Sequence, residues 1–176
     1  MKLNKISLTG AFLIEMEPIV DNRGFFARTW CADEFKLNGL NPKLAQCSIS
    51  FNARKGTLRG MHYQDVPFME AKLVRCSSGG IYDVIVDLRP KSPTFCKWFA
   101  AELTSENRKM IYVPEGFAHG FQTIADNSEV IYQISESYHP ESARGIRWND
   151  PRFGIKWPIE NPLLSERDAA FPEFTP

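Results

Sequence analysis

Along most of the chain, apolar and polar residues alternate in short runs, and the runs are broken by Gly, Pro, Asn and Asp. Alternation with a period of two marks strands with one buried face. Ala71–Cys76 reads as such a strand, with a turn at Ser77-Ser78-Gly79-Gly80. In Ile81–Leu88 the apolar positions are Ile81, Val84 or Ile85, and Val86, while Asp83 and Asp87 are polar. The phase slips midway, which predicts a twist or a bulge. Lys97–Leu103 and Lys109–Val113 are further strands, separated by the loop Thr104-Ser105-Glu106-Asn107. Gly120–Ile124 and Glu129–Ser135 are predicted to pair as a hairpin across Ala125-Asp126-Asn127-Ser128. Many short strands at near-regular spacing define a sandwich or a barrel. Two short helices interrupt them: Ala32–Asn38, closed by Gly39, and a turn at Ser165–Ala169 with Ser165 as its N-cap. Pro151, Pro158, Pro162, Pro172 and Pro176 predict a tail that wraps the barrel as loop, so that residues 1–176 form one domain.

Composition narrows the partners. The 176 residues, 43% of them hydrophobic, suffice for one domain with a real core. The formal net charge is zero and no run of like charges stands out, which disfavours nucleic acid as a partner but leaves local cations for a small phosphorylated ligand. No apolar stretch approaches the roughly 20 residues that span a bilayer. Met1-Lys2-Leu3-Asn4-Lys5 is not followed by an unbroken apolar signal segment, so no membrane partner and a cytoplasmic location are expected. Cys31, Cys47, Cys76 and Cys96 are widely spaced and read as reduced thiols, supporting neither a zinc ribbon nor a redox motif.

Three histidines focus the chemistry. His62 lies in Gly56-Thr57-Leu58-Arg59-Gly60-Met61-His62-Tyr63-Gln64, His119 in Val113-Pro114-Glu115-Gly116-Phe117-Ala118-His119-Gly120-Phe121, and His139 in the loop Tyr138-His139-Pro140. Residues i and i+2 of a strand point the same way, which puts Arg59, Met61 and Tyr63 on one face and Gly60, His62 and Gln64 on the other. The second set makes a polar interior suited to a ligand; a single buried histidine bonded to a carbonyl is the plainer alternative. A metal is another, because barrels can hold one through a His-x-His pair, with Glu70 and His119 as further ligands. Here the pair position reads His62-Tyr63-Gln64, and an amide is a poor transition-metal ligand, so no metal and no other cofactor is expected. Arg23, Arg59, Lys72 and Arg167 are cations assigned to the same cavity. Arginine grips phosphate oxygens in pairs, and lysine neutralises a developing oxyanion. Each of them, and Asp168 in Leu164-Ser165-Glu166-Arg167-Asp168, reads equally as a solvated surface charge when taken singly.

Taken together, Thr57–Gln64, Ala71–Cys76, Tyr82–Arg89, Pro114–Phe121, Trp148-Asn149-Asp150-Pro151 and Leu164–Asp168 resemble the dTDP-4-dehydrorhamnose 3,5-epimerase family, in the expected order and over nearly the whole chain. The resemblance implies an all-β fold, a metal-free cupin or jelly-roll β-barrel with a few short helices, and a homodimer. It also implies a nucleotide-sugar substrate, a nucleoside-diphosphate 4-keto-6-deoxyhexose. By the same resemblance His62 is the catalytic base, Asp168 the carboxylate that orients it and Tyr132 the general acid. Lys72 and His119 surround the sugar ketone, Arg23, Arg59 and Arg167 contact diphosphate and nucleotide, Gln46 opens a ligand-contacting segment, and Tyr138 stacks on the base. These roles cohere chemically. A ketone acidifies the protons beside it because the charge moves to oxygen, and histidine titrates near working pH. Inversion then needs a second group on the opposite face. The alternation of Leu8, Phe12 and Ile14 suits a segment Leu3–Glu17 that pairs across subunits. The chain departs from the family where nucleotide is read: Arg28 stands in place of Glu, Ser48 ends the segment Gln46-Cys47-Ser48, and Ala143 replaces a further Glu. Related 3- or 5-epimerases of GDP-, CDP- or UDP-sugars, a metal-dependent cupin dioxygenase or isomerase, and a non-catalytic sugar-binding cupin are the competing functions.

Overall fold

The computed structural model describes residues 1–175; Pro176, counted above among the tail prolines, lies outside the described residues. Before the first helix come β1 (Lys2–Lys5), β2 (Phe12–Glu15), β3 (Ile19–Asp21) and β4 (Gly24–Phe26). Helix α1 (Ala32–Leu37) follows, then β5 (Gln46–Asn52), β6 (Leu58–Gln64), β7 (Lys72–Ser78) and β8 (Gly80–Asp87). After these come β9 (Trp98–Thr104), β10 (Met110–Val113), β11 (Phe117–Thr123), β12 (Ser128–Ile134), β13 (Ala143–Gly145) and the one-turn helix α2 (Glu166–Ala169). A first sheet runs β1-β2-β10-β7-β12-β5 and a second β13-β6-β11-β8-β9, while β3 and β4 form a separate two-stranded arm. All pairings between these strands are antiparallel. This is the all-β jelly-roll barrel expected, with two short helices. No helix among the described residues is long and apolar enough to cross a membrane.

The core between the sheets contains Val74, Ile81, Ile85, Leu103, Ile111, Phe117, Phe121 and Val130. Each sheet is also covered outside. On the first, Phe35 of α1 and Leu40 lie over Phe12, Ile14, Leu73 and Met110. On the second, the tail residues Phe153, Ile155, Trp157 and Phe174 cover Met61, Val84 and Val86. Gln122 holds the tail there: its Nε2 donates to the Ile159 carbonyl (2.8 Å) and its Oε1 accepts from the Ile159 amide (3.0 Å).

That cover explains the phase slip in β8. Ile81 and Ile85 face the inter-sheet core while Val84 and Val86 lie under the tail, so both faces are apolar. The registers of β8 with β11 and β9 run without a shift, so β8 has no bulge. The bulge is in β6: His119 pairs with His62 but Phe121 with Arg59, so three steps on β6 oppose two on β11.

One expected pairing is corrected. Gly120–Ile124 and Glu129–Ser135 do not form a hairpin, because β11 sits between β6 and β8 while β12 sits between β5 and β7. The connection instead crosses from one sheet to the other. Its corner is pinned by Ser128, whose hydroxyl lies 3.0 Å from the Gly80 carbonyl and 2.9 Å from that of Ala125. The earlier crossing is tighter than the four-residue turn expected, since β7 extends through Ser78 and Gly79 alone (φ +69°) separates it from β8. Within the chain, the segment Leu3–Glu17 pairs β1 with β2 and β2 with β10, leaving β1 at the edge of the first sheet. Leu8 and Ile14 are buried in that chain's own core, so the alternation is spent internally.

The bulge depends on two glycines. Gly60 has φ +138°, in the region that favours glycine, and a Cβ there would sit 2.6 Å from the Gly120 Cα. A Cβ on Gly120 would meet Met61 Sδ at 2.7 Å and the Arg59 carbonyl at 2.8 Å. Gly120→Ala is therefore expected to lower stability by about 1–3 kcal/mol, read as a lower urea midpoint at unchanged slope. A midpoint equal to that of the wild type would show that the crossing is not tight.

Candidate active site

Between the sheets lies a cavity of about 300 Å³ whose walls belong to different sheets. The first sheet contributes Gln46, Ser48 and Ser50 from β5, Lys72 from β7, and Tyr132 and Ile134 from β12. The second contributes Arg59 and His62 from β6, with His119 and Phe121 from β11; Glu70 and the exposed Tyr138 complete the lining. The bulge corrects the simple face assignment. Met61 and Tyr63 point under the tail, as alternation requires, but Arg59 is carried round to the cavity beside His62. Gln64 is buried outside the lining, where its amide donates to the carbonyls of Phe68 and Ser137 and its Oε1 accepts from the His139 amide.

The tail brings Asp168 to His62, which sequence distance concealed. Ser165 caps α2 by accepting from the Asp168 amide at 3.1 Å. From that turn the Asp168 carboxylate reaches His62 Nε2 through Oδ1 at 2.8 Å and the Gly60 amide through Oδ2 at 3.1 Å. Burial pushes the Asp168 carboxyl up, but the His62 hydrogen bond and charge, the Gly60 amide and the Arg167 charge outweigh it and hold the group below 3.8. Asp168 is thus ionised at neutral pH and accepts from Nε2–H, which leaves Nδ1 of His62 with the free lone pair.

Tyr132 stands on the opposite sheet, its ring edge-on to His119 at 6.1 Å. Burial, then the charge of Asp83, raises its phenol well above the ordinary value of 10, against Arg59 and a Ser50 hydrogen bond. The phenol keeps its proton at rest and has it available to give. His119, the cross-strand partner of His62, is engaged by Asp83 at 2.8 Å. Asp83 has no exposed surface, and its Oδ1 is a buried acceptor without a partner among the described residues. In the sequence Asp83 stands out only as a polar position of β8, and the signal for its burial is that it shares the inward phase of Ile81 and Ile85. Lys72 pairs with Glu70 at 2.8 Å, a contact that was likewise not foreseen. Arg59 is held by Asn52 Oδ1 (2.8 Å), and Gln46 Oε1 accepts from the Tyr138 amide (3.3 Å).

Two assigned cations do not reach this cavity. Arg23 lies at the turn of the β3–β4 arm, mostly exposed and paired with Asp21 at 2.6 Å. Arg167 is exposed, with its guanidinium 5.7 Å from the centre of the Phe171 ring; α2 turns Asp168 inward and Arg167 outward. His139 stacks on Phe68 at 3.6 Å and pairs with Glu141, so it fastens two loops. Among the described residues no three His, Cys, Asp or Glu side chains converge as metal ligands.

A carbon acid whose proton leaves from one side and returns on the other needs a base and an acid on opposed walls, with cations between them. His62 and Tyr132 stand on opposite sheets with Lys72 on the same cavity inside a cupin-type barrel, an arrangement suited to a barrel epimerase. Comparison narrows the class. The family described as dTDP-4-dehydrorhamnose 3,5-epimerase matches residues 5–175. A dTDP-4-dehydrorhamnose 3,5-epimerase of Methanothermobacter thermautotrophicus is 45% identical over 168 residues, covering 93% of this chain and 89% of that one. The crystal structure of the Elizabethkingia anophelis enzyme of the same name superposes with a TM-score of 0.96 at 39% identity, covering 99% of this chain and 96% of that one. A Legionella pneumophila 3,5-epimerase in complex with dTDP-4-keto-L-rhamnose gives a TM-score of 0.91 at 36% identity, covering 98% and 92%. The chain belongs to the dTDP-4-dehydrorhamnose 3,5-epimerase family.

Asp168→Asn keeps the shape but offers Nε2 an amide in place of a carboxylate. The expected result is a kcat at least about 10²-fold lower, with KM little changed, because orientation and imidazolium stabilisation are both lost. Wild-type kcat in this variant would detach Asp168 from the chemistry.

Proposed function

We propose that the protein inverts C3 and C5 of a dTDP-linked 4-keto-6-deoxyhexose, of the dTDP-4-dehydro-6-deoxyglucose type, through an enolate. The observation that carries this reading is the placement of His62 and Tyr132 on opposite sheets of one cavity. His62 Nδ1 takes the proton from the carbon beside the ketone, and the C–H electron pair moves into the enolate with its charge on O4. Lys72 and His119, on the cavity wall, stabilise that oxygen. Tyr132 returns a proton to the opposite face. Solvent then removes the proton from His62 and restores the one on Tyr132, and the cycle repeats at the second carbon. Arg59 meets the diphosphate, while Gln46 and the exposed ring of Tyr138 at the mouth meet the base. The changes at Arg28, Ser48 and Ala143 bear on nucleotide choice and leave the proton-handling groups in place.

The test uses deuterated water and a panel of dTDP-, GDP-, CDP- and UDP-linked 4-keto-6-deoxy sugars. Wild type should place deuterium at both carbons of the dTDP sugar with inversion. His62→Ala should lose exchange by about 10²–10⁴-fold or more. Tyr132→Phe should still exchange, with retained configuration, while epimerised product falls sharply. Normal epimerisation by Tyr132→Phe would end the two-face mechanism, and label at one carbon alone would reassign the protein as a single-centre epimerase.

We infer also that the protein works as a homodimer. The arm exposes Ile19, Val20 and Phe26 at 71%, 73% and 74%, and the outer face of β5 exposes Ile49 and Phe51. Apolar surface of this kind marks an interface. Arg23, at the turn of the arm, would then meet the diphosphate in the second copy's cavity. Residues 1–176 act as one domain in this reading, since the tail both covers the second sheet and carries Asp168. A soluble nucleotide-sugar substrate and four free thiols fit a cytoplasmic location. Light scattering at micromolar concentration should give a dimer for wild type and a monomer for Phe26→Asp. A monomeric wild type would refute the assembly without touching the chemistry.

A further inference from the structure

We propose that Phe171 is a positioning residue for the catalytic base, seated in a space that Gly145 leaves open. Gly145 is the register partner of His62 across the β13–β6 pair. Paired residues of neighbouring strands project to the same face, so the side chain that Gly145 lacks would have stood beside the His62 imidazole. Phe171 occupies that place. A Cβ on Gly145 would lie 2.3–2.5 Å from three atoms of the Phe171 ring, a separation that no real contact tolerates. The ring in turn meets the His62 imidazole edge to face, with centroids 5.7 Å apart and planes at 73°.

One short segment therefore delivers both restraints. Asp168 fixes Nε2, and Phe171, three residues on, stands against the ring. A hydrogen bond along the Nε2 axis still allows the imidazole to rotate about that axis and to tip. The Phe171 ring removes this freedom, and the Arg167 guanidinium, 5.7 Å from the centre of that ring, helps to hold it. The result is that Nδ1 points at one place in the cavity, which is what proton abstraction from a fixed carbon requires.

This inference rests on His62 being the base. Its test combines steady-state kinetics with the downfield proton resonance expected for the His62 Nε2–H bonded to Asp168, a signal that reports the pairing without any turnover. Phe171→Ala and Gly145→Ala should each lower kcat by about 10- to 100-fold at unchanged KM. Both should broaden or lose the downfield resonance, with thermal midpoints close to that of the wild type. The double variant should lose no more than Phe171→Ala alone, because both changes act through one contact. Losses that multiply in the double variant would overturn the proposal. So would a Phe171→Ala enzyme with wild-type kcat and an undisturbed resonance, or a fall in kcat matched by a rise in KM. If Phe171→Ala does not fold, Phe171→Leu, which keeps bulk without a flat edge, is read by the same two signals. Activity surviving in His62→Ala would instead remove the assignment of the base itself, a separate result from any failure at Phe171.

Discussion

A carboxylate taken out of water must find donors, and the two that Asp168 finds are the interaction on which the rest of the site depends. They are His62 Nε2 and the Gly60 amide, two residues apart on β6. In a regular strand the Gly60 amide would be committed to the sheet ladder or turned from the His62 side. The bulge frees it and presents it beside the imidazole, and the bulge exists because Gly60 and Gly120 cross with no side chain between them. The same irregularity carries Arg59 into the cavity. One backbone defect thus sets the carboxylate, the imidazole and a cation together.

The cavity's charges follow a rule that single pairs do not reveal. Asp168 lies behind His62, Asp83 behind His119, and Glu70 beside Lys72. His62, His119 and Lys72 are thus each compensated by an acid, while Arg59 is held by the neutral amide oxygen of Asn52. An anionic intermediate then meets donors whose alignment was fixed during folding, so little reorganisation is needed when charge appears on its oxygen. Tyr132 belongs to this arrangement through its burial and the field of Asp83, which together oppose its ionisation.

Much of this was legible in the sequence, and the exceptions share a cause. Period-two alternation located the strands from Ala71 to Ser135, and the Ser165 cap located α2, because both signals are local. His62, Lys72, His119 and Tyr132, singled out by the family resemblance, line one cavity. What failed needed knowledge of partners. Alternation marks a strand but not its neighbour, so β11 and β12 were wrongly joined. The slip in β8 looked like a bulge because the tail that buries its second face lies some seventy residues away in sequence, at residues such as Phe153 and Ile155. Asp83 read only as a polar position because its partner His119 lies on another strand, and the arm and α2 hold Arg23 and Arg167 outside the cavity of their own chain.

The position of Asp168 has a consequence for how the molecule is made. Synthesis proceeds from the N-terminus, and both sheets are complete in sequence by Gly145, with Lys72, His119 and Tyr132 already on their strands. A chain that has emerged this far possesses the cavity but not the acid that aligns its base. The Asp168 carboxylate reaches His62 only after the tail has crossed the outer face of the second sheet. Without the tail segment the cavity walls would keep His62, Lys72 and Tyr132 but lose the carboxylate bonded to the imidazole.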